Sequence, residues 1–135
     1  MAQILGLDIG ERKIGVAVAD QTSGFAFARP ALLVQTFEDI WPLLAAIITQ
    51  DDIAEIVVGV PLNADQTAGP QAERVRTMID QLKQFHLPVH ERNEYSTSVA
   101  VQREQQHHGR TLKRGEEDSL AAQLILESYL QEKRS

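Results

Sequence analysis

Two apolar runs near the start of the chain have patterns that are typical of β-strands. Residues 4–9 are almost wholly apolar, as expected of a strand that is buried on both faces. Residues 13–19 place β-branched side chains at alternate positions between small residues. Residues 10–12 lie between the two runs, and we predict a tight turn there, in which Gly10 can take the positive φ that tight hairpins often demand. The pattern therefore predicts an antiparallel hairpin.

The remaining hydrophobic pattern predicts three further strands and four helices. The strands are residues 25–29, 55–60 and 89–94, and the helices run from residue 37 to about 50, from 70 to about 85, from 95 to about 108 and from 116 to about 132. Pro30 is expected to end the third strand, and Pro42 fits only in the first turn of its helix. Thr36 and Asp39 have the spacing of a capping box. Strands that are separated by helices pair in parallel, so we predict an α/β fold, a mixed sheet of about five strands flanked by helices.

The length and composition fit a single domain, residues 1–135, with a hydrophobic core of its own. No apolar run approaches the roughly 20 residues that cross a membrane. The start of the chain lacks the pattern of a secretion signal, and the absence of cysteine excludes disulfides and thiolate metal ligands. We therefore expect a cytoplasmic protein without a membrane partner.

The charge is unevenly distributed along the chain. The formal net charge is −6; residues 1–70 hold three basic and nine acidic side chains, and residues 71–135 hold ten of each. An acidic chain is unlike a general nucleic-acid coat protein, but a local basic patch in the second half can still meet phosphates. Arg110, Lys113 and Arg114 fall in a predicted loop, where they can grip a phosphate backbone or form an ordinary solvated surface.

Three carboxylates are distinguished by their surroundings. Asp8 is embedded in the first predicted strand, Glu94 ends the last one, and Asp118 lies in the first turn of the final predicted helix, on an otherwise apolar face. If the first and last strands lie near each other, the three acids can converge. Each also has a structural explanation, since Asp8 can bond turn amides, Glu94 can be a solvated strand end and Asp118 can complement the helix dipole.

Converging carboxylates can stay ionised together only if a cation lies among them. Oxygen ligands without cysteine favour Mg²⁺ or Mn²⁺ over zinc. Two such ions can activate a water and stabilise the leaving oxygen in phosphodiester cleavage. Asn63 follows a predicted buried strand, which is a common place for ligand contacts, although a turn with local hydrogen bonds explains it equally well.

Three segments resemble a known family: the opening GLDIGERKIGVAVAD, the middle IVVGVPLNADQTAGPQAERV and the closing EEDSLAAQLILESYL. Together they are similar to the YqgF/RuvX family of RNase H-fold nucleases, whose members are described as pre-16S rRNA nucleases or Holliday junction resolvases. The resemblance covers nearly the whole chain. It implies an RNase H-like fold, a divalent cation held by catalytic Asp8, Glu94 and Asp118, and a structured or precursor nucleic acid as substrate.

One segment departs from the family pattern. Where the family usually has Asp-Glu-Arg-Leu, this chain has Asn93-Glu94-Tyr95-Ser96, so that the acid is retained and the neighbouring arginine is replaced. The basic stretch before the last helix is also thinner than in the family. We therefore expect weaker phosphate contacts, or a partner such as a ribosomal particle that supplies the positioning.

The leading hypothesis is a Mg²⁺- or Mn²⁺-dependent endonuclease that processes the 5′ end of pre-16S rRNA in ribosome biogenesis. Arg12 and Lys13 would join the basic loop in binding the nucleic-acid backbone. The alternative is a Holliday junction resolvase, whose paired cuts require a homodimer rather than a monomer, or a non-catalytic nucleic-acid-binding factor. Residues 6–10 also resemble the phosphate loop of actin-like ATPases, but those proteins place a nucleotide between two such domains, and 135 residues supply one.

Overall fold

The computed structural model describes residues 2–10, 12–61, 69–94 and 119–134. The elements in chain order are β1 Gln3–Ile9, β2 Lys13–Asp20, β3 Ala26–Leu33, α1 Ile40–Gln50, β4 Ile53–Pro61, α2 Pro70–Leu82, β5 Val89–Glu94 and α3 Leu120–Arg134. The helix that we predict over residues 95–108 lies outside the described residues. None of the helices in the described ranges has the length and apolar character that crossing a membrane requires.

The five strands form one mixed sheet in the order β3-β2-β1-β4-β5. The neighbours β1 and β2, and β2 and β3, pair antiparallel, whereas β1 with β4 and β4 with β5 pair in parallel. This arrangement confirms the predicted mixed sheet with antiparallel opening strands. It also places β1 at the centre, which explains why its sequence is nearly continuous in apolar residues.

The two faces of the sheet carry side chains of different size. One face packs large aliphatic side chains against α1 and α2 in the main core. The other face, which we call the α3 face, packs small residues such as Ala17, Ala19 and Ala26 against Ala122 and Leu126 of α3. Small side chains allow the helix to approach the strands closely.

The closest approach on the α3 face is at Gly6. A Cβ atom placed on Gly6 would lie 3.0 Å from the Cβ of Leu126 and 3.1 Å from the carbonyl oxygen of Ala122. Both distances are shorter than ordinary van der Waals contact. The glycine therefore sets the separation between β1 and α3.

The third strand differs from its prediction, because Pro30 lies inside β3 rather than at its end. The register between β2 and β3 shifts between Ile14 and Val16, where two residue steps along β2 correspond to three steps along β3, from Arg29 to Leu32. This is a β-bulge, and β3 is an edge strand. Proline has no N–H to donate to a neighbouring strand, so within sheets it is found at edges and bulges, where that hydrogen bond is not required.

The first hairpin has the predicted strands, but Gly10 does not use the positive φ that glycine can adopt. Among the described glycines, Gly24 has a positive φ, of 79°, and Gly10 does not. Gly10 is needed for a different reason, since its N–H donates to the carbonyl oxygen of Lys13 at 2.9 Å, and a Cβ would lie 2.7 Å from that oxygen. The turn thus selects glycine for close backbone approach.

The start of α1 uses half of the predicted capping box. The N–H of Thr36 donates to Oδ2 of Asp39 at 3.2 Å, and a 3₁₀ turn over Phe37–Asp39 leads into the helix. Pro42 is the third residue of α1, which places it in the first turn as expected. Pro70 likewise opens α2, and a 3₁₀ turn over Lys83–Phe85 ends the segment close to its predicted limit.

Candidate active site

The carboxyl ends of β1, β4 and β5 meet at one edge of the sheet, because these three strands run in parallel. We call this the carboxyl edge. Asp8 is the second-last residue of β1, and Glu94 is the last residue of β5, where it pairs with Pro61 of β4. Two of the three predicted acids therefore come from strands that end together.

Asp8 belongs to the α3 face of the sheet. Residues two apart on a strand share a face, and Ile4 and Gly6 of the same strand both lie against α3. The residue that pairs with Asp8 across the hairpin is Gly15, and continuing the β1–β4 register places Gly59 beside it on the other side. The glycines on both neighbouring strands place no side chain beside this carboxylate.

The burial of Asp8 fits this position. The apolar residues that flank it, Leu7 and Ile9, are 0% and 2% exposed, whereas Asp8 itself is partly exposed. Partial exposure at the edge of a buried strand reduces the free-energy penalty of burying a charge.

The backbone of Glu94 lies at the same edge of the sheet, at the end of β5. Continuing the registers puts Asp8 level with Gly59, and Glu94 is level with Pro61, two residues further along β4. Two strand spacings sideways and two residue steps along give a Cα–Cα separation of about 12 Å between Asp8 and Glu94. An aspartate and a glutamate that share one ion can span such a separation, since each oxygen lies about 2.1 Å from a bound Mg²⁺.

The first turn of α3 lies over the same region. The backbone N–H of Val16 donates to Oγ of Ser119 at 2.9 Å, and Ser119 immediately precedes α3. Val16 follows Gly15, the pairing partner of Asp8. The start of the helix is therefore anchored next to Asp8.

The third predicted acid and four candidate nucleic-acid contacts lie outside the described residues: Asp118, Asn63, Arg110, Lys113 and Arg114. Within the described residues, no three histidine, aspartate or glutamate side chains come together in a way that could hold a metal ion.

Two of the predicted basic contacts do lie at the carboxyl edge. Arg12 and Lys13 are exposed at the β1–β2 turn, directly after the strand that carries Asp8. The carbonyl oxygen of Arg12 accepts a hydrogen bond from the N–H of Val34 at 2.9 Å, which fixes the turn to the end of β3. This hydrogen bond holds the backbone of the two basic residues at the carboxyl edge, close to Asp8.

A second polar group on the α3 face is absent from the predictions. Glu55, which is 7% exposed, lies 3.0 Å through Oε2 from Nε2 of His90 and accepts a hydrogen bond from the Tyr129 hydroxyl at 3.3 Å. The rings of His90 and Tyr129 stack with centroids 5.1 Å apart. A carboxylate inside an apolar strand is the signal that singles out Asp8, and the same rule applied to β4 finds Glu55.

A third connection joins α3 to the outer strand of the sheet. Nη2 of Arg92 donates to Oγ of Ser128 at 2.6 Å, and Arg92 also forms an ion pair with Glu132. A cavity of about 510 Å³ opens beside this pair and is lined in part by His90 and Tyr129. The helix is therefore held to the sheet by polar contacts at both of its ends.

Comparison with known proteins places the chain among nucleases and resolvases. A family model described as "RuvX: Holliday junction resolvase" matches residues 2–132. A protein of Halothermothrix orenii named "Putative pre-16S rRNA nuclease" is 34% identical over 131 residues, which cover 95% of this chain and 94% of that protein. A relative of the same name from Streptococcus equi subsp. equi is 35% identical over 136 residues, with 95% and 96% covered.

Solved structures share the fold at much lower identity. T. thermophilus RuvC in complex with a Holliday junction substrate has a TM-score of 0.60 at 11% identity, covering 100% of this chain and 97% of that chain. Fowlpox virus resolvase in complex with its substrate Holliday junction DNA has a TM-score of 0.58 at 14% identity, with 98% and 99% covered. These likenesses confirm the predicted RNase H-like fold.

Proposed function

Because the chain belongs to the RuvX family, we propose that it is a divalent-cation-dependent nuclease that cleaves the 5′ end of pre-16S rRNA. The observation that carries the proposal is the position of Asp8 at the carboxyl edge, on the α3 face, beside the anchored start of α3. The names of the curated relatives supply the class of substrate. We further propose that the protein acts in the cytoplasm, where precursor ribosomal particles would be its partners.

The surroundings of Asp8 fit a hard cation. Its carboxylate is partly exposed, and the facing residue Gly15 and the adjacent Gly59 offer no side chain that would fill the space. Oxygen ligands of this kind suit Mg²⁺ or Mn²⁺. In our proposal Asp8, Glu94 and Asp118 hold the ion, which when bound would lower the pKa of a coordinated water and stabilise charge on the phosphate.

The rest of the proposed mechanism concerns the chain's own groups. Central β1 is buried on both sides of Asp8, so the carboxylate is held on a rigid strand rather than on a loop. Arg12 and Lys13, exposed at the same edge, would attract and orient the phosphate backbone. Asn63, Arg110, Lys113 and Arg114 would extend this contact along the substrate.

A four-way DNA junction is the second candidate substrate. The description of the matching family as a Holliday junction resolvase favours it. Resolving a junction requires two symmetric cuts, and therefore two copies of this chain acting together. Cleavage of junctions by a dimer, with precursor rRNA left intact, would select this candidate.

The test is cleavage of labelled substrates by Asp8→Asn protein in the presence of Mn²⁺. Precursor rRNA, single strands and four-way junctions would be compared at matched concentrations. Asp80→Asn is the control, because Asp80 is an exposed α2 residue paired with Lys83. We expect D8N to fold normally and to lose at least about a hundredfold in rate, as expected when a group that binds a catalytic ion is removed, while D80N cleaves like the wild type.

The opposite results would each be informative. Folded D8N that cleaves at the wild-type rate would overturn the proposed site. If the wild-type protein binds precursor rRNA tightly but cleaves none of the substrates with Mn²⁺ or with Mg²⁺, the proposed nuclease would be replaced by a non-catalytic binding factor.

A further inference from the structure

The start of α3 is fixed to the sheet by a buried hydrogen bond between residues that are 103 positions apart. The N–H of Val16 in β2 donates to Oγ of Ser119 at 2.9 Å. Ser119 is 0% exposed, although serine is a residue type that is mostly found at the surface. A buried hydroxyl with a specific backbone partner indicates a position at which the helix is held in one place.

The Ser119 hydroxyl lies at an irregularity in the pairing of β2 with β3. The β2–β3 register shifts between Ile14 and Val16, and such a bulge interrupts the ladder of backbone hydrogen bonds. Ser119 supplies an acceptor at this interruption. Gly15, which lies within the shift, has no side chain on the α3 face and so leaves room for the helix end.

Gly15 and Val16 connect the hydrogen bond of Ser119 to the candidate active site. Gly15 is the pairing partner of Asp8, so the anchor at Val16 is one residue away from the position that faces the carboxylate. Residue 118 is joined to Ser119 by one peptide bond, which sets their Cα atoms about 3.8 Å apart. A displacement of Ser119 would therefore be passed directly to the third proposed acid.

We infer that Ser119 is a positioning residue, which fixes the first turn of α3 relative to Asp8 so that the acids can share a cation. The inference rests on the proposed function, because it gives Ser119 a role only if the acids bind a metal. Its hydroxyl acts through Asp118 and does not itself touch the substrate.

The test compares Ser119→Ala with Ser128→Ala. Both variants remove a serine that bonds α3 to the sheet, but Ser128 lies nine residues further along the helix and bonds Arg92, about 13 Å from Ser119 along the axis. Mn²⁺ binding would be measured on the free protein by the loss of the free-ion electron paramagnetic resonance signal. Cleavage of precursor rRNA would give kcat and KM separately.

We expect S119A to weaken Mn²⁺ binding about tenfold and to lower kcat by about 10- to 100-fold, with little change in KM for the nucleic acid. S128A should keep both values. A purely structural role would be indicated if the two variants lost activity and thermal stability in parallel, or if S119A bound Mn²⁺ like the wild type; either result overturns the inference.

Two further variants keep the test decisive. If S119A does not fold, Ser119→Cys places a weaker acceptor of similar size at the same position, and we expect an intermediate loss; wild-type values would overturn the inference. Asp8→Asn separates the two levels of the proposal. Inactive D8N with fully active S119A refutes the role of Ser119 alone, whereas active D8N removes the proposed function on which that role depends.

Discussion

Substitution of Gly6 by alanine tests whether the height of α3 above the sheet controls the site. The new Cβ would lie 3.0 Å from the Cβ of Leu126 and 3.1 Å from the carbonyl oxygen of Ala122. Ordinary contact begins at 3.4 Å, so the helix would have to withdraw by roughly 0.3–0.4 Å. These two atoms, the Cβ of Leu126 and the carbonyl oxygen of Ala122, are fixed by the backbone of α3, so a change of side-chain rotamer cannot move them away.

Overpacking of this kind typically destabilises a protein by about 1–3 kcal/mol, and the reduced entropy of an unfolded chain with alanine offsets about 0.4–1 kcal/mol. We therefore expect G6A to lower the free energy of unfolding by about 1–2 kcal/mol and Tm by roughly 3–10 °C. Urea denaturation followed by circular dichroism would measure the midpoint, with an unchanged slope. Because the helix would lift near Asp8, the Mn²⁺ concentration for half-maximal cleavage should also rise.

Gly24→Ala provides the matched control. Gly24 has φ 79°, so alanine there is strained by about 1 kcal/mol, yet it lies in the β2–β3 turn and not under α3. G24A should therefore lose similar stability while its folded molecules cleave normally. The reasoning would be refuted if G6A had the wild-type midpoint and Mn²⁺ requirement, or if G24A impaired cleavage as much as G6A does.

Three smaller predictions concern other parts of the fold. Tyr129→Phe removes the donor to Glu55 and should lower the free energy of unfolding by about 0.5–1.5 kcal/mol, measured by urea denaturation, with cleavage retained. Gly10→Ala would bring a Cβ within 2.7 Å of the facing carbonyl oxygen, so we expect a lower Tm together with a loss of cleavage; a wild-type Tm would contradict this. The backbone N–H and the hydroxyl of Thr22 hold the pKa of Asp20 below its usual value. The ionised Asp20 therefore stabilises the folded protein at pH values above its unfolded-state pKa. This contribution to the free energy of unfolding is lost as the pH falls through the folded-state pKa. Thr22→Val keeps the N–H and removes the hydroxyl, so an NMR titration should find the pKa of Asp20 raised part of the way toward its usual value.

The sequence predicts the parts of this fold that depend on local pattern. β1, β2, β4, β5 and α2 begin and end within a few residues of their predicted positions, because alternating or continuous apolar runs and Pro70 are local signals. β3 is longer than predicted because the β-bulge that accommodates Pro30 depends on how β3 pairs with β2. The sequence leaves open why glycine is required at position 10, because a glycine can be needed for close backbone approach as well as for a positive φ.

The candidate site also has features that local sequence pattern predicts and features that depend on the assembled fold. Asp8 is identifiable from sequence because a carboxylate interrupts an apolar strand. That the end of β5 lies at the same edge of the sheet as Asp8 follows only from the strand order β1-β4-β5. The contacts of Ser119 with Val16 and of His90 with Glu55 join residues that are 103 and 35 positions apart. No local pattern specifies such partners, so these contacts become visible only when the sheet and helix are assembled.

The bond between Val16 and Ser119 also sets a time order during synthesis. At roughly 5–20 residues per second, a ribosome that has made Val16 needs about 5–20 s more to reach its partner. Until then the small-residue surface that will receive α3 has no helix on it, and Asp8 has no neighbour from the late part of the chain. A nascent chain therefore passes through a stage in which the five strands have been made but α3 has not, so that the proposed active site is incomplete until the last part of the chain is synthesised.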